Sequence, residues 1–193
     1  MRKSKKVLGI LISVCMLISL VPTMVSAAAG DTFTAGDFTY KVNTDTTTVT
    51  LTAIAATKLT GAVTVPATVS DGTSTYTVTH LGDAFKNQGT KTNEMTSLVL
   101  PDTMTKFTGT ATFYGCKFTS IDLPKNLTGD GNTAVANCLT KTFYYCTNLK
   151  SVTLPAGITK CWGTFANGSG VRTVVVTGPS QVDFYQASGT ADA

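Results

Sequence analysis

The sequence predicts a mainly β chain: a short solenoid of stacked repeats, closed at its N-terminal end by a small β-sheet. An apolar pattern of strand periodicity, ended by proline, recurs through the second half of the 193 residues, and a phenylalanine stands ahead of each copy. Threonine and valine are abundant, whereas Glu94 is the sole glutamate. Side chains branched at Cβ sit well on pleated strands and lose rotamer freedom in helices.

Residues 1–27 read as an export signal. Arg2, Lys3, Lys5 and Lys6 form a basic head, Val7 to Val21 is apolar, and Pro22 ends the run. Val25-Ser26-Ala27 supplies the residues a signal peptidase reads, which predicts cleavage after Ala27 and loss of Cys15 with the leader. Removing the leader takes four of the 15 basic residues and none of the 11 acidic ones, so the net charge of +4 falls to zero. A neutral chain lacks the electrostatic footprint of a nucleic-acid partner, and no membrane insertion is expected after cleavage. The expected location is secreted or extracellular, with cell-surface association.

Residues 36–79 read as a small β module. Asp37 to Val42 and Thr48 to Leu51 alternate polar and apolar. Ala62 to Pro66 and Thr75 to Val78 follow, split by the turn Ser70-Asp71-Gly72. Such a sheet is expected to cover the apolar end of the first repeat.

Residues 80–179 read as about four repeats. The pattern runs Met95-x-x-Leu98-x-Leu100, Phe118-x-x-Ile121-x-Leu123, Leu149-x-x-Val152-x-Leu154 and Val171-x-x-Val174-x-Val176. The first three copies are followed by Pro101, Pro124 and Pro155, which stop a strand by removing a donor. Phe85, Phe113, Phe143 and Phe165 stand ahead of them, in matching pieces such as Phe113-Tyr114-Gly115-Cys116 and Phe143-Tyr144-Tyr145-Cys146. Successive copies lie 23, 31 and 22 residues apart, a solenoid period. The 31-residue spacing predicts an insertion of about eight residues in the third unit, placed at Gly129-Asp130-Gly131-Asn132 as a surface turn. Residues 180–193 read as a tail, with Ser188 to Ala193 expected to be disordered. With no cap after Val176, the last strand edge is expected to fray or to self-associate, unless Phe184 and Tyr185 fold back over it.

Met95-Thr96-Ser97-Leu98-Val99-Leu100-Pro101, Phe118-Thr119-Ser120-Ile121-Asp122-Leu123-Pro124 and Leu149-Lys150-Ser151-Val152-Thr153-Leu154-Pro155, with their Phe-x-x-Cys elements, resemble the BspA-type (treponemal-type) leucine-rich repeats of bacterial surface proteins. The resemblance covers roughly residues 78 to 179. It implies a leucine-rich-repeat solenoid that binds rather than catalyses. Its expected partner is a host or matrix protein or a neighbouring cell, in the manner of an adhesin. The alternative is a polysaccharide-binding accessory module without catalysis. It also implies that some of these cysteines are buried core thiols, the reading given to Cys116 and Cys146.

The remaining residues carry little chemistry. His80 is the sole histidine, in an alternating run, and is read as a strand-edge residue rather than a catalytic one. Cys138, Cys146, Cys161 and Cys116 lack Cys-x-x-Cys spacing, so neither a metal site nor a cofactor is expected. Cys138 and Cys161 occupy nearly equivalent places one repeat apart, five and four residues before a phenylalanine. They are the candidate disulfide, provided that the one-residue offset does not turn them apart. The candidate ligand face is formed by the variable strand positions: Val99, Asp122, Thr153 and Val175 in one row, Ser97, Ser120, Ser151 and Thr173 beside it. The plain alternative is a solvated sheet face. Tyr114 and Tyr144 share a repeat position, with Trp162 nearby, and read either as a packed ladder or as a shelf for a sugar or peptide.

Overall fold

The alternating runs become strands almost throughout. The computed structural model describes residues 25–86, 94–109, 111–131, 135–178 and 181–185; most of the leader and residues 186–193 lie outside these, so the signal and the disordered end are expectations about other residues. Among the described residues are fourteen strands, one 3-10 turn (Ala56–Lys58) and no α-helix.

The N-terminal sheet is built from β1 (Thr32–Ala35), β2 (Phe38–Val42), β3 (Thr48–Ile54), β5 (Thr68–Ser70) and β6 (Thr75–Leu81), with β4 (Thr60–Thr64) left out of it. Its order is β1-β2-β3-β6-β5, and it begins four residues before the expected position 36. The turn into β3 is held by Asp45, whose carboxylate accepts from the Thr47 and Thr48 amides at 2.9 and 2.8 Å and from the Thr48 hydroxyl at 2.7 Å. These bonds favour the ionised form and draw its pKa down to about 2. Tyr40, Val49, Leu51, Tyr76 and Val78 are buried on the inner face.

The module is more than a cover, because two of its strands are the first rungs of the repeat array. β4 pairs in parallel with β7 (Glu94–Val99), and the Val65 amide donates to the Val99 carbonyl at 3.0 Å. Val63-Thr64-Val65-Pro66 therefore aligns with Leu98-Val99-Leu100-Pro101. On the other side of the coil β6 pairs in parallel with β8 (Lys106–Phe107). The boundary expected at residue 79 thus runs through hydrogen-bonded sheets.

Beyond this junction the coils stack in two further parallel ladders. One contains β9 (Ser120–Asp122), β11 (Ser151–Leu154) and β13 (Thr173–Val176). The second contains β10 (Cys138–Thr140), β12 (Lys160–Trp162) and β14 (Asp183–Tyr185). The insertion in the third unit is not a surface turn at Gly129-Asp130; its exposed turn comes later, at Ala136 and Asn137. Gly129 and Asp130 are buried; the Phe107 amide donates to Gly129 O at 3.0 Å and the Asp130 amide to Cys138 O at 2.9 Å. The added residues build β10, an extra rung on one side of the coil only. Asn132 lies outside the described residues. β14 falls within the expected tail and adds the last rung among the described residues, with Phe184 55% and Tyr185 52% exposed there.

A column of phenylalanines ties the coils together. Phe85, Phe113, Phe143 and Phe165 stack in succession with centroids 6.4, 5.4 and 5.7 Å apart, and Phe184 follows at 6.2 Å. Cys116 and Cys146, each three residues after a phenylalanine, send their thiols to the carbonyls of the preceding column members: Phe85 at 3.4 Å and Phe113 at 2.9 Å. Burial pushes the Cys146 thiol up to about 12 and raises the Cys116 thiol well above its ordinary value. Each cysteine therefore links two coils as a small buried donor.

The Cys138–Cys161 disulfide does not form. Cys161 registers with Leu139 and Cys138 with Lys160, so the one-residue offset sends the two side chains to opposite faces of the ladder. Leu139 and Cys161 belong to the core; the Cys138 thiol lies off it, 3.9 Å from the Thr140 hydroxyl.

The turns around three of the column phenylalanines share a backbone signature. Positive φ occurs two residues before and two residues after each: Ala111 (58°) and Gly115 (69°) around Phe113, Lys141 (52°) and Tyr145 (57°) around Phe143, Gly163 (56°) and Asn167 (54°) around Phe165. Glycine and asparagine suit these places, whereas other residues there cost about 1–2 kcal/mol each. The Phe143 turn carries neither residue at either place.

Two outcomes follow for the column and the thiols. Phe143→Ala removes the ring stacked on both sides and should cost about 3–5 kcal/mol, from lost transfer energy and the cavity left behind. Thermal unfolding measures it, and a near-normal melting temperature would contradict the column. Thiol reagent should react slowly with folded protein; after unfolding without reductant it should count four thiols in the chain beyond Ala27, and a count of two would restore a disulfide.

Candidate functional site

The ladders place six of the eight expected face residues side by side. Ser151 registers with Ser120 and Thr173, and Thr153 with Asp122 and Val175. Alternation turns these residues outward while Ile121, Val152 and Val174 turn to the core. Ser120, Asp122, Thr173 and Val175 are exposed; Ser151 and Thr153 are half-buried between their neighbours. The face offers hydroxyls, one carboxylate and an exposed valine.

Ser97 and Val99 stand apart from these six. They register with Ala62 and Thr64 of β4, and the β4-β7 ladder is a separate sheet from β13-β11-β9. Between the two blocks the face opens into a groove of about 530 Å³, lined by Leu98, Leu100, Ile121 and Leu123 as well as by the outward residues. One rim is tied by Asp102. Its carboxylate accepts from Lys125 Nζ at 2.7 Å and from the Lys125 amide at 3.0 Å, and its carbonyl accepts from the Asn126 carboxamide at 2.8 Å. The Lys125 bonds lower the Asp102 pKa and raise that of Lys125. The pair is exposed, so it contributes shape and local charge more than stability.

Asp102, Lys125, Ala62 and Thr64 were not singled out from the sequence. Asp102 and Lys125 each follow a strand-ending proline, one repeat apart and opposite in charge, and that spacing was a usable signal. Ala62 and Thr64 were obscured because Gly61 stands where Met95 stands in the next coil.

His80 lies in β6, half-buried, with Nδ1 2.8 Å from the Thr79 hydroxyl and 3.3 Å from the Asn43 carboxamide. Burial, then Lys106, lowers its pKa and Asp45 opposes, so the neutral ring is favoured in a structural hydroxyl-amide network. Among the described residues, no group of three or more His, Cys, Asp or Glu side chains is placed to hold a metal.

The tyrosines do meet. Tyr114 and Tyr144 stack at 6.1 Å, and Tyr145, which sequence reasoning passed over, packs edge-to-face against both, at 5.4 and 5.1 Å. Trp162 registers instead with Thr140 and Tyr185 on the β10-β12-β14 ladder.

Known proteins share this architecture. A leucine-rich repeat protein from Bacteroides capillosus matches with a TM-score of 0.61 and 25% identity, over 76% of this chain and 99% of that one. A leucine-rich cell surface protein from Faecalibacterium prausnitzii matches with a TM-score of 0.54 and 25% identity, over 76% of this chain and 42% of that one. The pneumococcal vaccine antigen PcpA matches with a TM-score of 0.63 at 18% identity, a likeness of fold, over 81% of this chain and 40% of that one. The chain thus spans less than half of the latter two structures. No curated protein sequence matches it. The BspA type leucine rich repeat region (6 copies) model matches residues 83–182, just over half of the chain, and the chain therefore belongs to the BspA-type leucine-rich repeat family.

Proposed function

We propose that this protein is exported by its N-terminal signal and acts at the cell surface as a non-catalytic binding protein, adhesin-like, gripping a host, matrix or bacterial surface protein. The observation that carries the reading is the register of the outward residues. Ser120, Asp122, Ser151, Thr153, Thr173 and Val175 form one ordered patch. The groove beside it adds an apolar floor within reach of polar side chains, a combination that suits recognition. The surface location is supported by the similarity to a leucine-rich cell surface protein and to a vaccine antigen. The second reading, a polysaccharide-binding module, draws on the hydroxyl-bearing row Ser120, Ser151 and Thr173.

Export is tested by N-terminal sequencing of secreted protein, which should begin at Ala28; a lipid-bearing N-terminus at Cys15 would contradict it. In the full chain the Ala28 amide donates to Asp31 at 2.8 Å, so cleavage there sets a new ammonium beside that carboxylate. Binding is tested with the chain from Ala28 onward against immobilised matrix proteins and intact bacterial surfaces. Asp122→Arg combined with Thr173→Arg, both at exposed positions, should weaken retention at least tenfold, about 1.4 kcal/mol, without lowering the melting temperature, because exposed substitutions cost little. Unchanged retention would remove the ladder face as the site, and capture of glycans alone through that face would favour the second reading.

A further inference from the structure

The tyrosine trio is built in a way that folding does not explain. Tyr145 takes a φ of 57° at the turn position held by Gly115 in the preceding coil and by Asn167 in the following one. Tyrosine is disfavoured there, and its ring gains little burial in return, being 46% exposed. Lys141 stands at the place held by Ala111 in the preceding coil and by Gly163 in the next, and its ammonium lies 5.6 Å from the centroid of the Tyr144 ring. The Lys141 ammonium and the Tyr145 ring thus meet on the Tyr144 ring. From the following turn, the Asn167 carboxamide donates to Tyr144 Oη at 2.5 Å and to Tyr145 Oη at 3.4 Å.

We propose that this turn surface, centred on Tyr145, is a second binding site and that its ligand is a β-linked pyranose oligosaccharide. An exposed aromatic ring offers its electron-rich face to the C–H groups of a sugar ring whose hydroxyls are equatorial. The phenol groups, the Asn167 carboxamide and the Lys141 ammonium supply donors and acceptors around that ring for the sugar hydroxyls. The platform is a few side chains wide, the scale of one or two sugar rings, and far below the roughly 800 Å² per partner of a stable protein interface. Its chemistry is aromatic and amide-rich, without a cluster of like charge, which suits an uncharged polyol. The site lies on the turn side of the coil and does not depend on the ladder face.

The backbone makes the test sharp, because glycine suits the conformation that tyrosine is forced into. Calorimetric titration of the chain from Ala28 onward with cellohexaose, chitohexaose and β-1,4-xylohexaose should give saturable binding of at least one of them. Tyr145→Gly should reduce that affinity at least tenfold while the melting temperature holds or rises. Asn167→Gly should also weaken binding with the fold intact, Tyr145→Phe should stay within about threefold of the parent, and Asp122→Arg should leave binding unchanged. The proposal is overturned if no hexasaccharide binds the parent chain, as expected if the trio serves a protein instead. It is equally overturned if Tyr145→Gly binds as the parent does, or if that variant melts at a lower temperature, which would make Tyr145 a folding residue.

Discussion

A coil of some two dozen residues cannot enclose its own apolar side chains, so each turn of this chain is stable only with another coil above and below it. The rest of the structure follows from that constraint. The phenylalanine column exists because one inward position per coil must meet its copies, and stacked rings 5.4 to 6.4 Å apart occupy the axis. The buried thiols of Cys116 and Cys146 answer the same demand in polar form, each reaching a carbonyl of the coil before it. Coils approach so closely at Gly157 that a Cβ there would collide with the Leu127 carbonyl.

Stacking also creates the surface available for recognition. Parallel register forces equivalent positions into rows, so outward residues that are scattered in sequence become neighbours across the ladder. Where the register is interrupted, between β7 and β9, the rows part and the groove forms. The turn side obeys the same rule, and it is by repetition that Gly115, Tyr145 and Asn167 can be compared as one position in three coils. Ligand contacts in such an array are therefore substitutions at fixed addresses, and a residue that fits its address poorly is informative.

Much of this was legible in the sequence. The strand pattern of Leu98, Ile121, Val152 and Val174 gave the inward row, and with it the outward one, because alternation leaves no other choice. The first coil was hidden because it lacks the large apolar residue that opens the other copies, Gly61 standing there, so Val63 and Val65 read as part of a separate cap. The surface turn was placed too early because Gly-Asp-Gly looks like turn chemistry, whereas Gly129 and Asp130 are spent on a buried rung and the exposed turn falls at Ala136 and Asn137. Spacing brought Cys138 and Cys161 one coil apart but could not fix parity, and in a strand a single residue reverses the direction of the side chain. The strain at Tyr145 leaves no mark in composition; it emerges only once backbone angles are compared between coils.

The central claim is that the N-terminal sheet and the repeats form a single folding unit, since β4 and β6 belong to both. Scanning calorimetry of the chain from Ala28 onward tests this most directly. One unit predicts a single transition whose calorimetric enthalpy equals its van 't Hoff enthalpy. Two transitions, or a calorimetric enthalpy well above the van 't Hoff value, would show that the sheet melts apart from the coils and would contradict the account.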